Sequence, residues 1–256
     1  MPGPYLATRL GLSLGMRTVL VNTRVGQVAF TELSNTGLPV AALMYGLFRG
    51  SESLAPLIDR IEGADVVVVH QPGHSGAPEL EEVGVTPFAQ AVAVGLQTLL
   101  ADRRVVFAGE SLGGLIGLAV GSYKIPCLHS VMAFDPFFTT RKLWPIHRQT
   151  ADAWPIPSAP LLLDRIFGAG SGPAEERDYR PVLQNLVVPA TVVTGDIPLF
   201  PERDLDRSPC LMDEEDCAAV DASSASLIRL RGGHRLLEEC PDPCAELLNQ
   251  LIRRTR

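Results

Sequence analysis

Short apolar runs separated by turns recur along the chain and predict β-strands. Residues 65–70 read DVVVVH, without polar alternation, which is typical of a parallel strand that is covered on both faces. Two earlier runs, 16–21 and 27–33, lie on either side of the turn 22–26 and predict an antiparallel hairpin. Further strands are predicted at 39–45, 104–108, 128–134, 190–194 and 226–231.

Helical patterns follow most of these strands. Pro87 suits the first turn of a helix, where its missing N–H costs nothing. Strands that alternate with helices favour a mostly parallel sheet with right-handed crossovers, so the predicted fold class is α/β. One domain is expected over 1–256, because α/β folds often reach this size as a single unit. The helices are predicted at 52–61, 86–100, 112–122 and 243–253.

Residues 140–188 depart from this alternation. They carry several prolines, a loose Gly-rich stretch and both tryptophans, Trp144 and Trp154. The segment is too long for a plain connection and is expected to be an inserted lid or cap. Its apolar side chains would line a pocket if it folds over a site, or would pack against the main core. The sequence leaves both arrangements open.

Charge and length restrict the partners. The chain has 29 acidic and 22 basic residues, a net charge of −7 and no Lys/Arg-rich run, which disfavours nucleic acids and anionic membranes as partners. No apolar run approaches the roughly 20 residues that cross a bilayer. The first 16 residues lack a clear signal-peptide cleavage site. A cytoplasmic protein that acts on a small molecule is therefore expected.

The cysteines and histidines do not predict a metal site. The sequence does not decide whether the cysteines form disulfides, although a chain of this size does not need them. The cysteine spacing is not C-x-x-C, and no third ligand follows the pair His70 and His74 in the sequence. Of the five cysteines, four lie in the last 50 residues: Cys210, Cys217, Cys240 and Cys244.

The strongest chemical signal is Gly109-Glu110-Ser111-Leu112-Gly113, which lies between a predicted strand and a predicted helix. A sharp strand-to-helix turn lifts the central hydroxyl above the sheet and requires small residues two positions to either side. The helix N-terminus favours developing negative charge, and the Leu112 amide would point at an oxyanion. The segment resembles the nucleophile elbow of the α/β-hydrolase superfamily, with Ser111 as the candidate nucleophile.

The resemblance implies a catalytic base and an acid. His234 lies in a Gly-Gly-His loop between the last strand and the last helix, where the superfamily carries its catalytic histidine. Asp196 follows the seventh strand, the superfamily's usual place for the acid, and is the favoured candidate. Asp135 ends the sixth strand, the place used by thioesterase-type members. Both strand ends border the histidine loop, so either carboxylate could orient the imidazole.

A second oxyanion donor is expected from the loop after the third strand, which reads Tyr45-Gly46-Leu47. The superfamily usually has His-Gly and an apolar residue there, so Tyr45 is a departure. The Leu47 amide is the candidate donor. The candidate substrate-binding residues are Leu47, Leu112, Phe48, Trp144 and Trp154.

The resemblance covers nearly the whole chain. It implies an α/β-hydrolase fold, with an eight-stranded, mostly parallel sheet, helices on both faces and a lid after the sixth strand. The implied reaction is acyl transfer through an acyl-enzyme on Ser111, without a cofactor or metal. The elbow, the HQPGHSG loop and the candidate acid Asp135 resemble thioesterases of fatty-acid and polyketide systems, which would imply an acyl-carrier protein as partner. The alternatives are a carboxylesterase, an acyltransferase on the same scaffold and a non-catalytic hydrolase-like binding module.

Overall fold

The computed structural model describes residues 16–74, 76–147, 158–169, 175–203 and 206–255. The strands in these ranges form one eight-stranded sheet in the order β1-β2-β4-β3-β5-β6-β7-β8. β2 pairs antiparallel with β1 and β4, and the other neighbours are parallel. The strands are β1 (Arg17–Thr23), β2 (Gly26–Glu32), β3 (Val40–Met44), β4 (Asp65–Val69), β5 (Val105–Glu110), β6 (Leu128–Phe134), β7 (Ala190–Thr194) and β8 (Ser226–Arg229).

The helices lie between and after the strands. None of those in the described ranges has the length and apolar content that a membrane-spanning helix needs. A 3-10 turn over Ser51–Leu54 leads directly into the first α-helix. The α-helices are α1 (Ala55–Ile58), α2 (Val85–Leu99), α3 (Leu112–Val120), α4 (Trp144–His147), α5 (Ala159–Phe167), α6 (Pro181–Gln184), α7 (Glu214–Asp221), α8 (Leu236–Glu239) and α9 (Pro241–Arg254).

The sheet is covered on both faces, and the central strand β5 shows why its sequence is an unbroken apolar run. Side chains alternate along a strand, so Val105 and Phe107 pack with α2 and α3 on one face. Val106 and Ala108 pack with α1, α8 and α9 on the other. The predicted α/β class, the opening hairpin and the mostly parallel eight-stranded sheet are confirmed.

The parallel strands end at one edge of the sheet, which is where such folds place their ligand sites. Met44 pairs with Gly109 at the ends of β3 and β5, and Glu110 pairs with Phe134 at the ends of β5 and β6. Phe134 also pairs with Val193 of β7. The residues that follow β3, β5, β6 and β7 therefore lie side by side.

The described part of the 140–188 segment packs against the main core. Phe167 of α5 stacks on Phe137, which follows β6, with the ring centroids 4.7 Å apart. Leu162 and Ile166 are fully buried in the same cluster, whereas Leu161 is 45% exposed. Trp154 lies outside the described residues, and a lid over the site stays a prediction.

Close packing between α2 and β2 gives a stability prediction. A Cβ placed on Gly95 of α2 would lie 2.2 Å from ring carbons of Phe30, which is fully buried. Gly95→Val is expected to lower the free energy of unfolding by about 1–3 kcal/mol, because the ring must shift within a packed core. Urea-induced unfolding followed by circular dichroism measures this change.

The matched control is Val94→Ala on the same helix, because Val94 is 42% exposed. It should change the free energy of unfolding by no more than about 0.5 kcal/mol. Unchanged stability in Gly95→Val would contradict the close approach of α2 to β2.

Candidate active site

Ser111 lies in a strained turn between β5 and α3. Its backbone has φ 56° and ψ −121°, a conformation that side-chain-bearing residues rarely adopt. A Cβ on Gly109 would lie 2.3 Å from the Gly113 carbonyl carbon, and one on Gly113 would lie 2.4 Å from the Met44 oxygen. Both positions therefore require glycine. This is the tight strand-to-helix turn that the sequence pattern predicts.

The loop after β3 passes directly beside the Ser111 hydroxyl. A Cβ on Gly46 would lie 3.1 Å from the Ser111 Cβ and 3.7 Å from its Oγ. Leu47 follows Gly46 in this loop. Leu112 is the first residue of α3, where backbone N–H groups have no acceptor within the helix. The two amides predicted as oxyanion donors thus belong to segments that adjoin Ser111.

The buried side chain of His74 forms a hydrogen bond with the backbone of Phe48, the residue that follows Leu47 in this loop. Phe48 has φ 59°, and its amide donates to His74 Nε2 at 3.1 Å. The other ring nitrogen, Nδ1, lies 2.9 Å from the Pro72 carbonyl oxygen. An N–H at Nδ1 and a lone pair at Nε2 satisfy both contacts, so His74 is the neutral imidazole. Its burial lowers its pKa and favours this state.

His70 is the second buried histidine of this region. Its Nε2 is 2.8 Å from the Thr31 hydroxyl oxygen, and its Nδ1 is 3.4 Å from that of Tyr45. Burial lowers the pKa of His70 from 6.5 to about 4. His70 and His74 both contact protein groups, and within the described residues no cluster of three or more His, Cys, Asp and Glu side chains could hold a metal ion. Sequence reasoning noted both histidines but missed that they support the loop beside Ser111.

His234 contacts the carboxylate of Asp135. Its Nδ1 is 2.6 Å from Asp135 Oδ2, and the carboxylate is completely buried. Asp135 Oδ1 accepts a hydrogen bond from the Thr194 hydroxyl at 2.8 Å, and Oδ2 accepts one from the Leu211 amide at 2.9 Å. These contacts orient the carboxylate toward the ring. Because Nδ1 faces Asp135, Nε2 is the ring nitrogen that can act as a base.

Asp196, the favoured acid from the sequence, has a different contact. Its Oδ1 accepts a hydrogen bond from the Gly232 amide at 2.9 Å, and its own amide donates to the Gly232 carbonyl at 2.9 Å. Asp196 therefore fixes the start of the loop that leads to His234. The structure brings Asp135 and not Asp196 to the imidazole. β6 is the direct neighbour of β5 in the sheet, whereas β7 lies one strand further from Ser111.

A buried carboxylate adjoins the nucleophile on its N-terminal side. Glu110 is 2% exposed, and burial raises its pKa. Among the described residues neither of its carboxylate oxygens has a hydrogen-bond partner, although Arg49 Nε lies 3.7 Å from Oε2. Arg49 also forms an ion pair with Glu238 of α8. These charges connect the loop after β3 with the helix that follows His234, which no sequence signal indicated.

Trp144 is half-buried at the start of α4. Its indole N–H donates to the Leu199 carbonyl at 2.9 Å, which joins this helix to the segment after β7. Its predicted contact with a substrate, like that of Leu47, Leu112 and Phe48, stays a prediction. Trp154 has no described position.

The chain belongs to the alpha/beta hydrolase family, whose sequence model matches residues 37–247. Its structure is similar to that of a putative hydrolase from Bacillus subtilis, with a TM-score of 0.68 and 16% identity over 96% of both chains. It is similar to an esterase from Pyrococcus furiosus, with a TM-score of 0.72 and 13% identity over 96% of this chain and 93% of the other. A thioesterase domain from the curacin biosynthetic pathway aligns with a TM-score of 0.63 and 17% identity over 93% and 99%. These likenesses show the fold, and no curated protein matches the sequence significantly.

The depressed pKa of His70 gives a prediction on stability and pH. In the unfolded chain the His70 side chain takes up a proton near pH 6.5, whereas in the folded protein it takes up the proton only near pH 4. The contribution of the neutral His70 ring to the free energy of unfolding is therefore present above pH 6.5 and is lost as the pH falls toward 4. Between pH 7 and pH 5 the loss amounts to about 2 kcal/mol in the free energy of unfolding.

Urea-induced unfolding at the two pH values measures this loss. His70→Gln should remove it, so that the difference between pH 7 and pH 5 shrinks by about 2 kcal/mol. His129→Gln is the control because the His129 side chain is exposed, and it should keep the wild-type difference. An unchanged pH dependence in His70→Gln would contradict a buried neutral imidazole at this position.

Proposed function

We propose that this protein is a serine hydrolase that cleaves an acyl thioester or a carboxylic ester through an acyl-enzyme on Ser111. The observation that carries the proposal is the 2.6 Å contact between His234 Nδ1 and Asp135 Oδ2. It lies at the same edge of the sheet as the strained turn of Ser111, since Ser111 N donates to the carbonyl of Phe134, the residue before Asp135. Ser111, His234 and Asp135 are the proposed nucleophile, base and acid.

The proposed reaction has two halves. His234 Nε2 takes the Ser111 proton as Oγ attacks the acyl carbonyl, and the imidazolium then gives that proton to the leaving alcohol or thiol. The same ring nitrogen next removes a proton from water, which attacks the acyl-enzyme and releases the acid. In both halves the amides of Leu112 and Leu47 hold the oxyanion. This chemistry requires no cofactor or metal.

The position of the acid favours the thioesterase-like form of the proposal. The resemblance noted above associates an acid after the sixth strand with thioesterase-type members, and Asp135 occupies that position. The fold likeness to a thioesterase domain agrees with this choice. A carboxylesterase is the second candidate, because the likeness to the Pyrococcus esterase is at least as close. An acyl-carrier protein as the partner stays a prediction from the resemblance.

Active-site labelling tests the proposal. A fluorophosphonate should modify Ser111 and no other serine, as identified by peptide mass spectrometry. Ser111→Ala should abolish labelling and lower kcat by several orders of magnitude, on the order of 10⁶ when a triad nucleophile is removed. The thermal midpoint should stay nearly unchanged. Ser130→Ala is the matched control, a buried serine of β6, and it should still be labelled.

Labelling that persists in Ser111→Ala would contradict the assignment of the nucleophile. No labelling of the folded wild-type protein would favour the non-catalytic binding module.

Thioesters and oxyesters with the same acyl chain separate the two candidate substrate classes, and kcat/KM should be higher for the thioester. A higher value for the oxyester would indicate a carboxylesterase. An added alcohol that accepts the acyl group in preference to water, so that ester product forms at the expense of free acid, would indicate an acyltransferase.

Two matched substitutions test the acid. Asp135→Asn keeps the shape of the side chain but presents a donor to His234 Nδ1–H, and a change of this kind lowers kcat by about 10⁴ in a triad protease. Asp196→Asn should lower kcat by about tenfold or less, because Asp196 contacts the Gly232 amide. Both variants should be compared in kcat after circular dichroism has shown that they fold. A severe loss confined to Asp196→Asn would contradict the assignment of Asp135.

A further inference from the structure

Two cysteines lie in contact at the junction of α8 and α9. Cys240 follows the last residue of α8 and is the N-cap of α9, and Cys244 lies in the first turns of α9. Their sulfur atoms are 3.9 Å apart, and all five cysteines of the chain are free thiols. We propose that Cys240 and Cys244 are a redox-active pair that a peroxide converts reversibly into a disulfide, and that closing the disulfide displaces the loop that carries His234.

The two thiols have unequal environments, which gives each a distinct part in the reaction. Cys240 is partly exposed, so a small oxidant reaches it, whereas Cys244 is completely buried. The Cys244 thiol lies within hydrogen-bond distance of the Cys240 sulfur and lowers the pKa of Cys240. The N-terminus of α9 adds a favourable dipole for a thiolate there. The same contact, together with burial, raises the pKa of Cys244.

The oxidation proceeds in two balanced steps. The Cys240 thiolate attacks one oxygen of hydrogen peroxide and forms a sulfenic acid, while the other oxygen leaves as hydroxide and takes up a proton to become water. The Cys244 sulfur then attacks the Cys240 sulfur, and the Cys244 proton leaves with the hydroxyl group as a second water. In total the two thiols lose two protons and two electrons, which reduce the peroxide to two waters. A small thiol reductant reverses the reaction by exchange.

The first turn of α9 can tighten at low cost in hydrogen bonds. Pro241 and Pro243 have no N–H groups to lose, and the Cys244 amide reaches the Cys240 carbonyl only at 3.3 Å. The two sulfur atoms are 3.9 Å apart, whereas the sulfur atoms of a disulfide are about 2.05 Å apart. The two side chains and the turn that carries them must therefore close by roughly 2 Å, and such strain makes a disulfide easier to reduce. This suits a reversible switch better than a permanent crosslink.

The residue before Cys240 connects the pair with the proposed base. The Glu239 carboxylate accepts a hydrogen bond from the Gly233 amide at 3.0 Å, and Gly233 precedes His234. Contraction of the turn at Cys240 pulls on Glu239 and through it on the Gly233–His234 backbone. A displacement of about 1 Å at a catalytic group can lower turnover by up to about 10²-fold. This part of the inference rests on the proposed function, whereas disulfide formation does not.

Mass spectrometry of the intact protein tests the disulfide. Mild hydrogen peroxide should remove two hydrogens from the wild-type protein, a peptide containing a Cys240–Cys244 link should appear, and dithiothreitol should restore the original mass. Cys240→Ser and Cys244→Ser should lose this response, whereas Cys217→Ser, a buried cysteine of α7, should keep it. Oxygen addition at Cys240 without a link, or a link that involves another cysteine, would overturn the proposal.

Labelling and NMR test the displacement of the loop. Oxidised wild-type protein should react up to about a hundredfold more slowly with the fluorophosphonate, recover with dithiothreitol, and show a shifted His234 imidazole signal. Cys244→Ser should show neither change under the same peroxide. A disulfide that leaves both readouts unchanged would overturn the displacement. Reduced protein that never reacts with the fluorophosphonate would instead contradict the proposed function, while the mass and the imidazole signal would still test the redox pair.

Discussion

The site depends on the direct contact between the first turn of α3 and the ends of β3 and β5. Gly113 approaches the Met44 carbonyl so closely that a Cβ would lie 2.4 Å from its oxygen. This approach leaves no room for a relaxed connection, so Ser111 takes the strained φ of 56° between strand and helix. The hydroxyl then lies beside Gly46. The parallel strands add the remaining groups, because their ends meet at one edge.

The buried carboxylate of Asp135 is the second constraint. Removing an ionised group from water is costly unless its oxygens are paired. Asp135 has donors from three parts of the chain: the Thr194 hydroxyl at the end of β7, the Leu211 amide in the segment before α7, and His234. The same contacts that make burial tolerable also point the carboxylate at the imidazole. Stability and orientation therefore have one origin at this position.

Much of the fold could be predicted from the sequence because apolar runs such as DVVVVH reflect burial on both faces, which the sheet requires. The strand-to-helix turn of Ser111 was also predictable, since such a turn requires small residues two positions to either side of its central residue, and the sequence has Gly109 and Gly113 there. The acid could not be predicted from the sequence, because Asp135 and Asp196 both follow apolar strands and differ only in which amides and hydroxyls surround them after folding.

Sequence reasoning missed α7, although Asp213 caps this helix and accepts a hydrogen bond from the Asp216 amide at 3.0 Å. The predicted helix 52–61 is instead a 3-10 turn followed by a single α-helical turn.

Because the Phe48 amide donates a hydrogen bond to His74, the shape of the loop beside Ser111 depends on the protonation state of His74. Phe48 keeps its left-handed backbone next to an acceptor that exists only while His74 is unprotonated. If Leu47 serves as an oxyanion donor, its geometry is tied to the charge state of an imidazole other than the base. A proton on a side chain that never contacts the substrate then changes the geometry of the oxyanion site.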